Sequence, residues 1–331
     1  MAAIAVIGTT SWGTTLAALF ARNGNDVSLM TRSVAEADAL NAARENRLHR
    51  PGLRFPGSMR AGFDPEALAT AELVVLAVPS ATLRENLIRS APAISPAAGI
   101  LSATKGIESG DCLRMTEVIA AFGFEAARTM ALSGPNFAGE IARGLPAATV
   151  IAGSNLVRVQ QAQSLLSSQG FRVYTSEDVV GVEIGGALKN VVAIACGLSD
   201  GLGYGENAKA ALITRGLAEI TRLGLAAGAN PLTFLGLAGM GDLVLSCQSN
   251  QSRNHALGVA LAHEMTLEEA IEASAGVVEG VATARALPQL ARRYGVAMPI
   301  CESLYSILFE AKPAVDAGRD LMSRATRPER D

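Results

Sequence analysis

Two hydrophobic rhythms divide the chain. Up to about residue 178, short apolar runs recur at 3–7, 27–30, 73–78, 99–102, 129–132, 147–151 and 171–174. Each is followed by small or polar residues and then by a helical repeat, so they read as strands alternating with helices. The first helix is expected over 14–23, with Leu16, Leu19 and Phe20 on one side and Gly24 after its end. Another opens at Val34. Residues 51–63, with Pro51, Gly52, Pro56 and Gly57, read as an irregular loop. Beyond about Asp178 the strand signals stop. Helices are predicted over 183–198, 206–227, 266–273, 281–294 and 301–309, and Thr266 with Glu269 has the spacing of a capping box. Strands with helices, then helices alone, predict two domains meeting over a cleft. The expected class is α/β, with a doubly wound domain at 1–178, an all-helical domain at 179–322 and a polar, frayed tail at 323–331.

Composition narrows this picture. The chain has 331 residues, 49% hydrophobic and 18% charged, enough for two cores. Its 33 glycines and 4% aromatic content favour tight α/β turns over a β-sandwich. A net charge of −3 without a basic run argues against nucleic acid as a partner. The first strand begins at once, leaving no room for a signal peptide. The longest uncharged run, 223–241, is broken by Asn230, Pro231 and glycines, so it reads as a helix end and a loop, not a membrane span. Cys112, Cys196, Cys247 and Cys301 lie far apart, and His49, His255 and His263 have no ligand spacing. The expectation is a reduced, cytoplasmic protein without a zinc site.

The chemistry gathers at the predicted strand ends. Gly8-Thr9-Thr10-Ser11-Trp12-Gly13 follows the first strand, where a dinucleotide fingerprint belongs. Gly8 supplies the tight turn and Gly13 the close helix–strand contact, but Thr10 replaces the middle glycine. Either the loop shifts outward around that side chain or its hydroxyl meets a phosphate oxygen. The second strand runs into Met30-Thr31-Arg32-Ser33 without the carboxylate that binds a ribose 2′-hydroxyl. Arg32 instead matches a 2′-phosphate, which favours NADP(H) over NAD(H). The alternative is a solvated arginine opening the next helix. Lys105, in Ala103-Thr104-Lys105-Gly106, is placed toward the cleft or, equally, in solvent.

In the second half, Lys189 is the one side chain charged at neutral pH between Ile184 and Leu198. If buried, desolvation disfavours its ammonium form and suits it to proton exchange; otherwise its head reaches water. Asp242, between Gly241 and an apolar run, is either a turn residue or a carboxylate that orients Lys189. Ser252-Arg253-Asn254 offers a hydroxyl, a forked cation and an amide, the makings of a phosphate clamp, or else a polar surface loop.

Together these segments resemble the bacterial NAD(P)-dependent glycerol-3-phosphate dehydrogenase family. The resemblance rests on residues 181–190, 200–209, 236–243, 252–254 and 277–280, with the 103–106 and 133–135 loops, and runs from residue 4 to about 310. It implies a Rossmann-type domain and a helical substrate domain. It implies reversible hydride transfer between NAD(P)H and dihydroxyacetone phosphate, giving sn-glycerol 3-phosphate for phospholipid synthesis. Lys189 then resembles the proton donor and acceptor. Lys105, Gly134, Asn136, Asp242, Ser252, Arg253 and Asn254 resemble the substrate-binding set. Ser11, Trp12, Arg32, Lys105, Ala138, Arg253, Val277 and Glu279 resemble the cofactor contacts, beside Gly8 and Gly13. No metal is implied, and a homodimer is left open. Thr10 and Asn136 depart from the family pattern of glycine and of Ser or Thr. A 6-phosphogluconate or 3-hydroxyacid type of dehydrogenase is the enzyme alternative. A catalytically weak nucleotide sensor is the other.

Overall fold

The computed structural model of the chain describes every residue except 275, 327, 330 and 331. Its first half is one sheet of β1 (Ala3–Ile7), β2 (Asp26–Met30), β3 (Met59–Gly62), β4 (Leu73–Leu76), β5 (Gly99–Ser102), β6 (Thr129–Ser133), β7 (Ala147–Gly153) and β8 (Phe171–Ser176). The spatial order is β3-β2-β1-β4-β5-β6-β7-β8. Neighbours are parallel except β6 and β7, which are antiparallel. The first six strands have the order of a doubly wound dinucleotide-binding sheet. Ile4, Val6, Val75 and Leu101 pack with Leu16 and Phe20 on one face. Ala5, Ile7, Val74 and Leu76 pack with Leu83 and Leu87 on the other. Burial on both faces is why these strands read as unbroken apolar runs.

The expected loop over 51–63 is corrected at its end, where β3 pairs with β2 at the sheet edge. Met59 and Ala61 are buried, while the Arg60 guanidinium meets Asp26 across the pair at 3.0 Å. Four residues followed by prolines and glycines on the N-terminal side are too few for a period of two to stand out.

After β8 the chain enters helix Val179–Gly201, longer than expected at both ends. Asp178 caps it by accepting from the Gly181 amide at 2.8 Å, and its second oxygen accepts from Thr233 Oγ1 at 2.6 Å. The helix is long and apolar enough to cross a membrane, but its most apolar window is 83% buried inside the protein. Residues of Gly205–Ala226, Arg253–Ala262, Glu279–Tyr294 and Pro299–Phe309 surround it in one core. The stretch expected as a loop before Asp242 contains a 3-10 turn, Pro231–Leu235, and a π-helical turn, Leu237–Gly241, which feeds helix Asp242–Gln248. Gly185 permits this, since a Cβ there would lie 2.6 Å from the Ala238 carbonyl oxygen. The Thr266–Glu269 capping box forms as expected. The polar tail over 323–331 falls partly outside the described residues.

Helix Arg253–Ala262 crosses the long helix at two glycines. A Cβ on Gly197 would lie 2.0 Å from the His255 carbonyl oxygen, and one on Gly258 2.1 Å from that of Ile194. Alanine is worth about 1 kcal/mol more than glycine inside an isolated helix. Here Gly197→Ala is expected to lower stability by about 1–3 kcal/mol through overpacking. Urea unfolding checks the sign; a raised midpoint would show that the helices separate freely.

Candidate active site

The turn after β1 needs both of its glycines. Gly8 has φ +119°, and a Cβ on Gly13 would fall 2.0 Å from the Gly8 carbonyl oxygen. The Thr10 hydroxyl has a structural task that the sequence reading did not include. It caps helix Ser11–Arg22 by accepting from the Gly13 amide at 3.0 Å, and it donates to the Ala77 carbonyl at 2.9 Å. This cap starts the helix at Ser11, three residues before the predicted start. Ser11 and Trp12 therefore form its first turn, where amide groups lack partners within the helix. The buried Trp12 Nε1 has no hydrogen-bond partner among the described residues. A glycine cradle, free helix amides and an orphaned donor fit a bound dinucleotide.

At the end of β2, Ser33 caps helix Val34–Ala43, and Arg32 is exposed. The strand end itself carries no carboxylate, as expected, but one reaches it from the next helix. Glu36, in the first turn of that helix, folds back. One oxygen accepts from Thr9 Oγ1 at 2.7 Å and the other from the Arg32 amide at 2.9 Å. It also faces the Arg32 guanidinium at 3.7 Å. Burial pushes the Glu36 carboxyl up, but the Arg32 amide, the Thr9 hydroxyl and the Arg32 charge outweigh this and hold it below the usual range.

The ends of β4, β5 and β6 face the helical domain. Lys105 Nζ donates to the Gly134 carbonyl at 2.9 Å and to Asp242 Oδ2 at 2.7 Å. Lys189 Nζ donates to Asp242 Oδ1 at 2.8 Å and to Ser246 Oγ at 2.7 Å. Asp242 is 1% exposed and Lys189 9%. Burial lowers the Lys105 pKa to about 8; Asp242 opposes that shift and the neighbouring Lys189 charge adds to it. Gly134, at φ +149°, brings its carbonyl under Lys105. Asn136 Nδ2 donates to Thr149 Oγ1 at 2.9 Å, and its Oδ1 is buried without a partner among the described residues.

The predicted clamp divides. Ser252 caps helix Arg253–Ala262, accepting from the His255 amide at 3.3 Å. Arg253 is exposed. The Asn254 side chain is held: it donates to Asn190 Oδ1 at 2.8 Å and accepts from the Gly280 amide at 2.9 Å. These two bonds fix the side chain and leave its second N–H, with the first-turn backbone amide, for a ligand. Glu279 accepts from the amide and hydroxyl of Ser80, just after β4, and so bridges the two halves. Burial pushes its carboxyl up, against the pull of the Ser80 bonds and Arg253. Val277 is exposed, and Ala138 opens helix Ala138–Ala142, whose first carbonyl meets Thr15 Oγ1 at 3.5 Å.

Sequence reasoning missed Ser246, Ser80 and Glu36. Ser246 was findable: it lies four residues after Asp242 in helix Asp242–Gln248, hence on the same face. Glu36 stands three after the Ser33 cap, a capping-box spacing. Ser80 carried no local signal.

Comparison with known proteins covers nearly the whole chain. Residues 3–158 match the profile described as NAD-dependent glycerol-3-phosphate dehydrogenase N-terminus, and 178–318 match the corresponding C-terminus. The glycerol-3-phosphate dehydrogenase, NAD(P)+, of Streptomyces avermitilis is 48% identical over 328 residues, 98% of each chain. That of Corynebacterium aurimucosum is 48% identical over 99% of this chain and 100% of its own. The crystal structure of glycerol-3-phosphate dehydrogenase from Coxiella burnetii superposes with a TM-score of 0.92 at 37% identity, covering 97% of this chain and 98% of that one. With both family profiles matched and the two-lysine cleft lying between them, the chain belongs to the NAD-dependent glycerol-3-phosphate dehydrogenase family.

Proposed function

We propose that the protein reversibly reduces dihydroxyacetone phosphate to sn-glycerol 3-phosphate with NAD(P)H, supplying the glycerol backbone of phospholipids. The observation that carries this reading is the Lys105–Asp242–Lys189 triad. An ammonium has three N–H donors. Lys189 gives one to Asp242 and one to Ser246, and Lys105 gives one to Asp242 and one to Gly134. Each keeps one donor for a substrate oxygen. Bound nicotinamide cofactor supplies or accepts the hydride. Lys105 polarises the ketone, and Lys189 protonates the oxygen as charge develops on it, a task for a donor already aimed and dry. In oxidation Lys189 takes the proton back. Arg253, the Ser252 hydroxyl and the first-turn amides of Arg253–Ala262 hold the phosphate, so that remote binding energy positions the carbonyl. The four cysteines are free and buried, which suits a reducing cytoplasm.

For the cofactor, Arg32 supports NADP(H) as the favoured form, while Glu36 beside it lowers the net charge facing a 2′-phosphate and leaves NAD(H) usable. The glycine cradle and first-turn residues Ser11 and Trp12 would take the pyrophosphate side, and Glu279 and Val277 are further cofactor positions.

Oxidation of NADPH or NADH on addition of dihydroxyacetone phosphate tests the assignment; inertness with both cofactors would overturn it. Lys189→Ala is expected to lower kcat by about 100- to 10,000-fold, the usual contribution of a positioned acid–base group, with cofactor affinity unchanged. A variant of near-normal kcat would remove Lys189 from the chemistry. As pH rises through about 8, Lys105 loses its charge. The kcat/KM for ketone reduction should then fall on an alkaline limb with a midpoint near that value, since kcat/KM reports the free enzyme; Lys105→Arg should move the limb upward. Arg32→Ala is expected to weaken NADPH by tenfold or more and NADH little, as for loss of one charge-assisted contact. Equal losses for both would place Arg32 away from the 2′-phosphate.

A further inference from the structure

We infer that Arg50 is a pyrophosphate-binding residue of the cofactor site, compensating for the missing middle glycine at Thr10. The inference rests on the dinucleotide reading above. Arg50 lies on the segment between helix Val34–Ala43 and β3, far in sequence from the glycine turn, yet that segment is fastened to the turn. Asn46, 2% exposed, donates to the Thr9 carbonyl at 2.8 Å and to Thr14 Oγ1 at 2.9 Å. It also organises its own loop: its side chain accepts from the His49 amide at 3.2 Å and its carbonyl from the Arg50 amide at 2.7 Å. Leu53 and Phe55 anchor the far side in the core. Arg50 is therefore held by backbone and core contacts, and its head is delivered to a defined place.

That place is the opening of helix Ser11–Arg22. Arg50 Nη1 donates to Ser11 Oγ at 3.2 Å. A Cβ built on Gly139 would lie 3.3 Å from Nη1 and 3.4 Å from Nη2, so the guanidinium fills the gap between the two segments that begin at Ser11 and Ala138. In a doubly wound fold the pyrophosphate sits at the N-terminus of the helix after β1. The partners of Arg50 point the same way. Its loop neighbours Arg47 and Arg54 face Glu45 at 3.9 and 3.7 Å, whereas Arg50 forms no ion pair among the described residues. A half-buried guanidinium with one hydroxyl partner retains most of its five donors for an anion.

The need is set by Thr10. A middle glycine lets the backbone approach the pyrophosphate. Here the Thr10 hydroxyl donates to Ala77 and accepts from Gly13, so its one hydrogen is not free for a phosphate oxygen. A guanidinium fork from outside the turn replaces part of what closer backbone contact provides elsewhere.

Calorimetric titration of the full-length protein with NADH, NADPH and ADP-ribose, without turnover, decides the matter. Arg50→Leu is expected to weaken all three by a similar factor, tenfold or more, because all three share the pyrophosphate. Arg50→Lys, which keeps the charge without the fork, should recover part of the loss. The unfolding midpoint of the unliganded Arg50→Leu variant should match that of the parent, as one side-chain hydrogen bond is removed. Unchanged affinities for NADH and ADP-ribose would overturn the inference. Loss with NADPH alone would overturn it too, by assigning Arg50 to the 2′-phosphate. A parent protein that binds neither NADH nor NADPH would sink the cofactor reading itself, and this inference with it.

Discussion

One buried carboxylate holds the cleft together. Asp242 is shared by two ammonium groups, Lys105 from the end of β5 and Lys189 from the long helix. Burial and the neighbouring Lys189 charge both lower the Lys105 pKa, and the Asp242 carboxylate between the two ammonium groups opposes that shift. Removing one partner of such a buried group typically costs about 3–5 kcal/mol, because an uncompensated charge stays behind. The triad is thus a structural bond between the domains as well as a catalytic arrangement. The same geometry leaves each lysine with one free donor.

Other polar staples reinforce that single point. Glu183, buried in the long helix, accepts from the Thr116 amide at 2.8 Å and from Arg114 Nη1 at 2.7 Å, tying the helix to Met115–Ala120 of the sheet domain. Glu279 holds Ser80 on the opposite side of the cleft. Apolar contact joins the halves as well, through Ala131, Val150, Ala152, Val182 and Ala238, and through Ile107 and Cys112, which sit in the helical core. Docking of the domains therefore combines apolar packing with directional bonds. Such bonds fix orientation, which a hydride-transfer cleft requires at the level of reacting distance.

Much of this was legible along the chain. The runs buried on both faces of the sheet, the lone lysine in an apolar helix, and the Thr266–Glu269 box all come from local periodicity, and local periodicity survived folding. The short β3 was hidden because four residues cannot display a period. The early start of helix Ser11–Arg22 was hidden because Thr10 was weighed as a phosphate contact, while its hydroxyl serves as a cap. The bridge that the Asn254 side chain makes between Asn190 and Gly280 left no local trace either.

Residue spacing alone determined the division into a wound sheet and a helical bundle; it singled out Lys105, Lys189 and Asp242 as candidates but left open whether each faces the cleft or solvent. Pairing across hundreds of residues was settled in three dimensions. Asp242 lies 137 positions from Lys105 and 53 from Lys189, and Ser80 lies 199 from Glu279. Hydrogen bonds of that separation leave no periodic trace, because each depends on where two independently folded elements come to rest. The same holds for Arg50, one arginine among several in its loop until the fold sets its guanidinium against Ser11.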